Sequence, residues 1–156
     1  SAESIAVRAA SGGQRWSHVG VAILAAGETR VVHAAPAEYG NPAGVHCASW
    51  SGFVLPDDVH HVAVFRVDGA TDAERDHIAR TALAMTGMPF NDDYRLTAPS
   101  ALYCTQLALR AISSVRPDIE AWVQPTTISL LPDPVLLPHA LLQWPLLREI
   151  QPTSSP

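Results

Sequence analysis

Apolar and polar residues alternate in the first quarter of the chain in a pattern that predicts a β-hairpin. The segment 18–24 is apolar and rich in β-branched residues, and a similar run, R-V-V-H-A, follows at 30–34. Both runs are typical of strands, and the residues A-G-E-T at 26–29 are typical of a turn. The predicted hairpin therefore joins two strands whose outer ends lie side by side.

The same patterning predicts further strands at 4–9 and 61–67. Between 36 and 56, prolines and glycines interrupt the chain, which predicts an irregular loop that holds at most one short strand.

Apolar residues that recur on one helical face predict two helices. A T-x-x-E capping box that begins at Thr71 precedes the first of these, over 72–86. Ser100 is predicted to cap the second, which runs to Ser114. This prediction places Cys104 about one turn inside a helix N-terminus.

The chain changes character from Pro117 onward. Eight of its thirteen prolines lie there, in a leucine-rich segment that can form neither a long helix nor a central strand. We expect an extended tail over about 117–156, packed on the core, with one short helix near 136–142. Strands and helices in mixed order predict an α+β fold, and the length suits a single domain over 1–156.

Composition narrows the classes of partner. A content of 47% hydrophobic and 16% charged residues is typical of a packed domain, and the chain has a formal net charge of −5 and no lysine. Without a basic surface, nucleic acid is not an expected partner. No apolar run approaches the roughly 20 residues that a membrane span needs, so no integral membrane segment is expected. Cys47 and Cys104 are too few for a disulfide framework and are expected to be free thiols.

The predicted position of Cys104 suits a nucleophile. Unpaired N–H groups at a helix N-terminus stabilise a thiolate, and the same groups can stabilise an oxyanion that develops on an attacked carbonyl. His18 opens the first hairpin strand and His33 closes the second, so one imidazole can serve as base while the other orients it. Taken alone, a buried structural cysteine and surface histidines are the simpler interpretation.

Other candidate residues carry weaker signals. His46 and Cys47 are adjacent, and adjacent strand residues point to opposite faces; His60, His61, His77 and His139 lack regular spacing. Asp92 and Asp93 precede the Cys104 helix and suit either an amine-bearing substrate or a solvated turn. The aromatic residues that can wall a cleft, or simply pack, are Trp16, Tyr39 and Trp50.

The hairpin sequence S-H-V-G-V-A-I-L-A-A-G-E-T-R-V-V-H-A-A resembles the two-strand signature of the NlpC family of cell-wall cysteine peptidases. There an S-H-V-G-I strand supplies the base and an I-H-A strand supplies a third polar residue. In that family the cysteine precedes the histidines, whereas here L-Y-C-T-Q-L follows His33 by about seventy residues. This order is similar to the circularly permuted YiiX/YebB-like branch of papain-like amidases, in which a Y-C-S-E-L helix follows the histidine strand.

The resemblance covers roughly 4–115 and implies a papain-like α+β fold, with a small antiparallel sheet packed against helices. It implies that Cys104 is the nucleophile, His18 the general base and acid, and His33 the orienting third residue. Tyr103 is expected either to support the oxyanion site or to pack in the core. Gln106 replaces the acidic residue of the family motif, so no role that requires a carboxylate is carried over to it.

The implied activity is hydrolysis of an amide bond through an acyl-enzyme on Cys104, with no cofactor and no metal. A peptide bond of bacterial peptidoglycan is the leading substrate, which favours a periplasmic or secreted protein, and an inhibitor or immunity protein is a conceivable partner. Three alternatives stay open. They are a lipid or acyl ester hydrolase or acyltransferase on the same fold, a zinc-dependent hydrolase, and a non-catalytic binding module.

Overall fold

A computed structural model of the chain describes residues 4–10, 16–37, 40–54, 59–97 and 100–150. These residues form one six-stranded sheet in which every pair of neighbours is antiparallel, in the order β4-β3-β2-β1-β5-β6. The strands are β1 (Ser4–Ala10), β2 (His18–Ala25), β3 (Glu28–Ala35), β4 (Gly44–Ser49), β5 (Val59–Val67) and β6 (Leu147–Glu149). The hairpin and the strands expected at 4–9 and 61–67 are confirmed.

Four α-helices accompany this sheet in the described part of the chain. They are α1 (Trp50–Val54), α2 (Asp72–Ala84), α3 (Cys104–Ser113) and α4 (Pro138–Leu141), and a 3-10 turn spans Pro117–Ala121. Thr71 and Glu74 form the expected capping box on α2. No helix in the described ranges is both long and apolar enough to cross a bilayer.

The two faces of the sheet carry different helices, because side chains alternate between faces along each strand. Val19, Val21 and Ile23 of β2 enter the main core, which contains the buried residues of α2 and α3. Ala22 of β2 faces the other way and packs with buried residues of β3 and α1. The central strand β2 is therefore covered on both sides.

Two sequence predictions about local structure were wrong. Ser100 does not cap α3: the N-cap is Tyr103, whose backbone is extended, and Cys104 is the first helical residue rather than one turn inside. The stretch 36–56 contains the one short strand that was allowed, β4, but also the helix α1, which no cap or periodicity signalled. A five-residue helix buries only Phe53, so its pattern is too short to read.

The tail packs on the face of the sheet that is covered by α2 and α3. Leu136, Leu141 and Trp144 are buried in the main core, and the hydroxyl of Tyr103 accepts a 2.8 Å hydrogen bond from the N–H of Leu136. The short helix expected near 136–142 is confirmed as α4. Strand β6, which pairs with β5 at the sheet edge, was not predicted, because three residues among prolines carry no alternating pattern.

Gly20 marks the closest approach of β2 and β3. A Cβ atom at this position would lie 2.5 Å from Cγ1 of the buried Val31 and 3.1 Å from Cβ of His33. We therefore expect Gly20→Ala to lower the free energy of unfolding by about 1–3 kcal/mol through overpacking, as measured by urea denaturation. Leu24→Ala, a change at a half-exposed position of the same strand, is the control and should cost less than about 1 kcal/mol. Equal losses in the two variants would contradict the steric explanation.

Tyr103→Phe tests how strongly the tail is attached. The substitution keeps the ring but leaves the buried N–H of Leu136 without its acceptor. The expected loss in the free energy of unfolding is about 1–3 kcal/mol, again measured by denaturant titration. A variant as stable as the parent chain would show that the hydroxyl does not anchor the tail.

Candidate active site

Helix α3 begins at Cys104 because the segment before it is held extended. Phe90 and Leu102 form an isolated parallel bridge, and Tyr103 continues in an extended conformation. From Thr105 to Ala108 every residue is buried, so the helix packs its apolar side into the main core as soon as it starts. Cys104 is thus held at the very N-terminus of a well-packed helix.

The sulfur of Cys104 is surrounded by hydrogen-bond donors. The backbone N–H groups of Val19, Thr105 and Cys104 itself lie close enough to the sulfur to lower the pKa of the thiol, and the Thr105 hydroxyl lies 3.9 Å from it. Burial raises the pKa of the Cys104 thiol above its usual value, and these donors only partly oppose that rise. Backbone donors alone therefore do not make this thiol a thiolate at neutral pH, and a nucleophilic role requires a base.

His18 and His33 are joined directly. Nε2 of His18 lies 2.9 Å from Nδ1 of His33, and the two ring planes are 82° apart. His33 is buried, whereas His18 is only partly so. His18 is also adjacent to Val19, whose N–H lies near the Cys104 sulfur. The start of α3 and the histidine pair thus lie at the same end of β2.

Phe53 is a contributor that sequence analysis missed. It is fully buried, and its ring centroid lies 5.6 Å from that of His18 and 5.4 Å from that of His33. The Phe53 ring thus packs against both imidazoles from the α1 side and limits how they can move. The sequence pattern did not point to Phe53, because it lies in a segment that was predicted as a loop. Its contact with the histidines forms only because α1 folds back over β3.

A network of side-chain amides connects α3 to the loop before it. Oε1 of Gln106 accepts hydrogen bonds from the Tyr103 N–H and from Nδ2 of Asn91, each 3.1 Å long. The Arg95 carbonyl oxygen accepts a 3.1 Å bond from Nε2 of Gln106 and a 2.7 Å bond from Nδ2 of Asn91. Gln106 and Asn91 are both buried. We call this group of hydrogen bonds the amide clamp.

Tyr94 lies within the loop that the amide clamp closes. It is a non-glycine residue with a positive φ of 55°, a conformation that costs about 1 kcal/mol or more and needs support from its surroundings. Its ring centroid lies 5.3 Å from that of Tyr103 and 5.9 Å from that of Phe90. Burial raises the pKa of the Tyr94 hydroxyl, with smaller contributions from the nearby Cys104 and Asp92. Tyr94 is thus a neighbour of the thiol that the sequence did not single out.

The remaining candidates lie in various places. Tyr103 is buried in the core, and burial is the main reason that its pKa rises to about 12. The exposed candidates are Asp92, Asp93, His61, His77 and His139. Trp16 packs against the main core, and Trp50 packs against the buried cluster that contains Phe53 and Ala22. His46 contacts the carbonyl oxygen of Pro42. Tyr39 and the side chain of His60 lie outside what the structure describes.

Both cysteines are free thiols, as expected. Among the described residues, no three side chains of His, Cys, Asp or Glu are grouped so that they could hold a metal ion.

Comparison with known proteins gives one structural relative. No family profile and no curated protein sequence matches the chain. The crystal structure of the metalloprotein YiiX from Escherichia coli O157:H7, described as DUF1105, superposes with a TM-score of 0.71 at 15% sequence identity, over 96% of each chain. At this identity the similarity establishes the fold alone. The chain has a mixed α+β fold like that of YiiX, which confirms the expected α+β class. The papain-like, circularly permuted NlpC-type assignment stays a prediction.

Proposed function

We propose that the protein is a cysteine hydrolase that cleaves an amide bond through an acyl-enzyme on Cys104. The observation that carries this proposal is the placement of a helix-terminal thiol beside the start of β2, the strand whose first residue belongs to a hydrogen-bonded histidine pair. The N–H of Val19 lies near enough to the sulfur to lower the pKa of the thiol. Val19 follows His18 in the chain, and His18 is hydrogen-bonded to His33. Nucleophile, base and orienting group are the three parts that such a reaction needs.

The histidine geometry favours one tautomer for this role. If Nε2 of His18 carries the proton and donates it to Nδ1 of His33, Nδ1 of His18 is the basic nitrogen of this ring and is the atom that accepts the thiol proton. The resulting imidazolium is then stabilised by His33 and by the contact of both rings with Phe53. The base supplies what the backbone donors do not, since burial raises the pKa of the thiol.

The proposed reaction proceeds in two steps. The Cys104 thiolate attacks the amide carbon, the C–N bond breaks, and His18 delivers its proton to the leaving amine, which leaves a thioester. Water then attacks the thioester carbon while His18 takes a proton from the water. The C–S bond breaks, the carboxylic acid leaves, and His18 returns the proton to the sulfur, which re-forms the thiol. The N–H groups at the start of α3 are the donors for the oxyanion. In this scheme Tyr103 supports the site indirectly, through its ring contact with Tyr94.

The substrate class rests on the resemblance of the two motifs to NlpC-type peptidases. It favours a peptide bond of bacterial peptidoglycan and an enzyme that works in the periplasm or outside the cell. An acyl or lipid ester is the alternative substrate, and assays with both classes separate them. We take residues 1–156 as one papain-like catalytic domain that includes the tail from 117 onward.

Metal-dependent hydrolysis is the rival chemistry, because the structural relative YiiX is described as a metalloprotein. The donor residues of the candidate site are His18, His33 and Cys104. The two imidazole nitrogens that face each other are engaged in one hydrogen bond, however, and the described residues offer no group of three donors. These side chains therefore do not fit a metal centre. Hydrolysis that a chelator abolishes and zinc restores would reverse this conclusion.

His18→Ala tests the base. Removing the imidazole removes the base that takes the thiol proton and, once protonated, stabilises the thiolate, so the pKa of Cys104 should rise further. We expect iodoacetamide to label Cys104 at least about tenfold more slowly at pH 7 in this variant, with the labelling profile moved to higher pH. Peptide mapping measures the rates, and Cys47 in the same molecule is the internal reference.

His77→Ala, which changes an exposed histidine on α2, is the matched control and should leave the profile unchanged. Cys104→Ala should reduce peptidoglycan-peptide or ester hydrolysis to the background rate without loss of fold. Unchanged hydrolysis in Cys104→Ala would refute the assignment, and so would parental labelling of Cys104 in His18→Ala. Binding retained by an inert parent chain would favour the non-catalytic module.

Phe53→Leu tests the positioning of the histidine pair. Leucine keeps the position apolar but removes the aromatic contacts with both imidazoles. We expect Cys104 labelling and turnover to fall on the order of tenfold, since small displacements of catalytic groups have large effects on rate. Phe65→Leu is the same change at a buried position on β5; it should reduce stability similarly and leave labelling unaffected. Equal labelling rates in the two variants would contradict a positioning role for Phe53.

A further inference from the structure

We propose that Gln106 and Asn91 are positioning residues, whose amide clamp holds the Tyr94 loop against the start of α3 through a connection that carries no charge. This inference rests on the proposed function of Cys104 and extends it. It assigns a role to the position at which the chain departs from the family motif, where glutamine replaces an acidic residue.

The hydrogen-bond chemistry of the clamp requires two amides. The Arg95 carbonyl oxygen accepts one bond from each amide nitrogen, and Oε1 of Gln106 accepts one bond from Asn91 and one from the Tyr103 N–H. Both hydrogens of the Asn91 amide are thus used. An ionised carboxylate at either position has no hydrogen to donate, so it would face the Arg95 carbonyl oxygen with like partial charge.

Because the amide clamp is buried, breaking its hydrogen bonds is energetically costly. Gln106 and Asn91 are 8% and 4% exposed, so a donor or acceptor that lost its partner would be left unpaired away from water, which is unfavourable. The same bonds close the loop from 91 to 95 and hold Tyr94 in its unfavourable left-handed conformation. Loop, clamp and helix start therefore behave as one unit.

The absence of charge on Gln106 matters because the Cys104 thiol lies in the same helical turn. Gln106 lies in the first turn of α3, two residues after Cys104, and the N–H groups of this turn face the sulfur. A carboxylate there would oppose formation of the thiolate, since a like charge nearby raises the pKa of an acid. The glutamine provides the reciprocal cap of Tyr103 that a glutamate would provide, and it does so without that penalty. The charged side chains of the loop, Asp92, Asp93 and Arg95, are exposed.

Gln106→Glu and Gln106→Met separate charge from hydrogen bonding. The glutamate variant should label Cys104 about tenfold more slowly at pH 7, with its profile moved to higher pH. Methionine has a similar length and no charge, so the pH profile of Cys104 labelling in Gln106→Met should not move to higher pH. In both variants we expect amide hydrogens of 91–95 to exchange at least about tenfold faster, because the clamp is broken. Gln124→Glu, the same change at an exposed residue, is the control and should alter neither measurement.

Exchange and labelling at parental rates in folded Gln106→Glu would overturn the proposal. If the buried carboxylate prevents folding, the exchange rates in Gln106→Met decide, and unchanged protection of 91–95 would likewise overturn it. An ordinary thiol at Cys104 in the parent chain would instead count against the proposed hydrolase, while faster exchange in Gln106→Met would still support the clamp.

Discussion

The packing of helix α3 on strand β2 is the constraint on which the rest of the structure depends. Leu107, Ala108 and Ala111 of α3 are fully buried in the same core as Val19 and Val21. Small residues on the helix allow a close approach, and the shared burial removes a large apolar area from water. The contact fixes where α3 begins relative to β2, and therefore where the sulfur of Cys104 meets the N–H of Val19.

The sheet separates the two halves of the candidate site and also connects them. Side chains of β2 alternate between a face covered by α2 and α3 and a face covered by α1. The imidazole pair is packed by Phe53 from α1, whereas the thiol belongs to α3. Both halves lie near the start of β2: His18 is its first residue, and the backbone N–H of the next residue, Val19, lies near the Cys104 sulfur. The position of the pair is consequently sensitive to the packing of both layers.

The buried polar groups around α3 form specific hydrogen bonds, so only side chains with the right donors and acceptors can occupy these positions. The Tyr103 hydroxyl accepts from the tail at Leu136, and its backbone N–H donates to Gln106. Gln106 and Asn91 then share the Arg95 carbonyl oxygen. Each of these groups holds a different segment of chain against the same helical turn. The first turn of α3 is thus the point at which the preceding loop, the tail and the sheet are joined.

Local pattern in the sequence was sufficient for the longer regular elements, whereas α1, β6 and the first residue of α3 were not predicted. Strand alternation gave the hairpin that aligns His18 with His33, a capping box gave α2, and apolar periodicity gave α3. These signals are short-range, so one sequence carries them without reference to the rest of the fold. The prolines after Pro117 likewise limited the tail to short elements.

Tertiary structure alone decided the features that depend on distant residues. The start of α3 moved from Ser100 to Cys104 because a bridge between Phe90 and Leu102 and the side chain of Gln106 outweigh a local serine cap. Phe53 became a support for the histidines, and Tyr94 a neighbour of the thiol, through packing between segments far apart in the chain. The sequence determined which groups are present and how each segment folds. Which groups touch was decided by long-range burial and by the pairing of buried amides, neither of which leaves a periodic trace in the sequence.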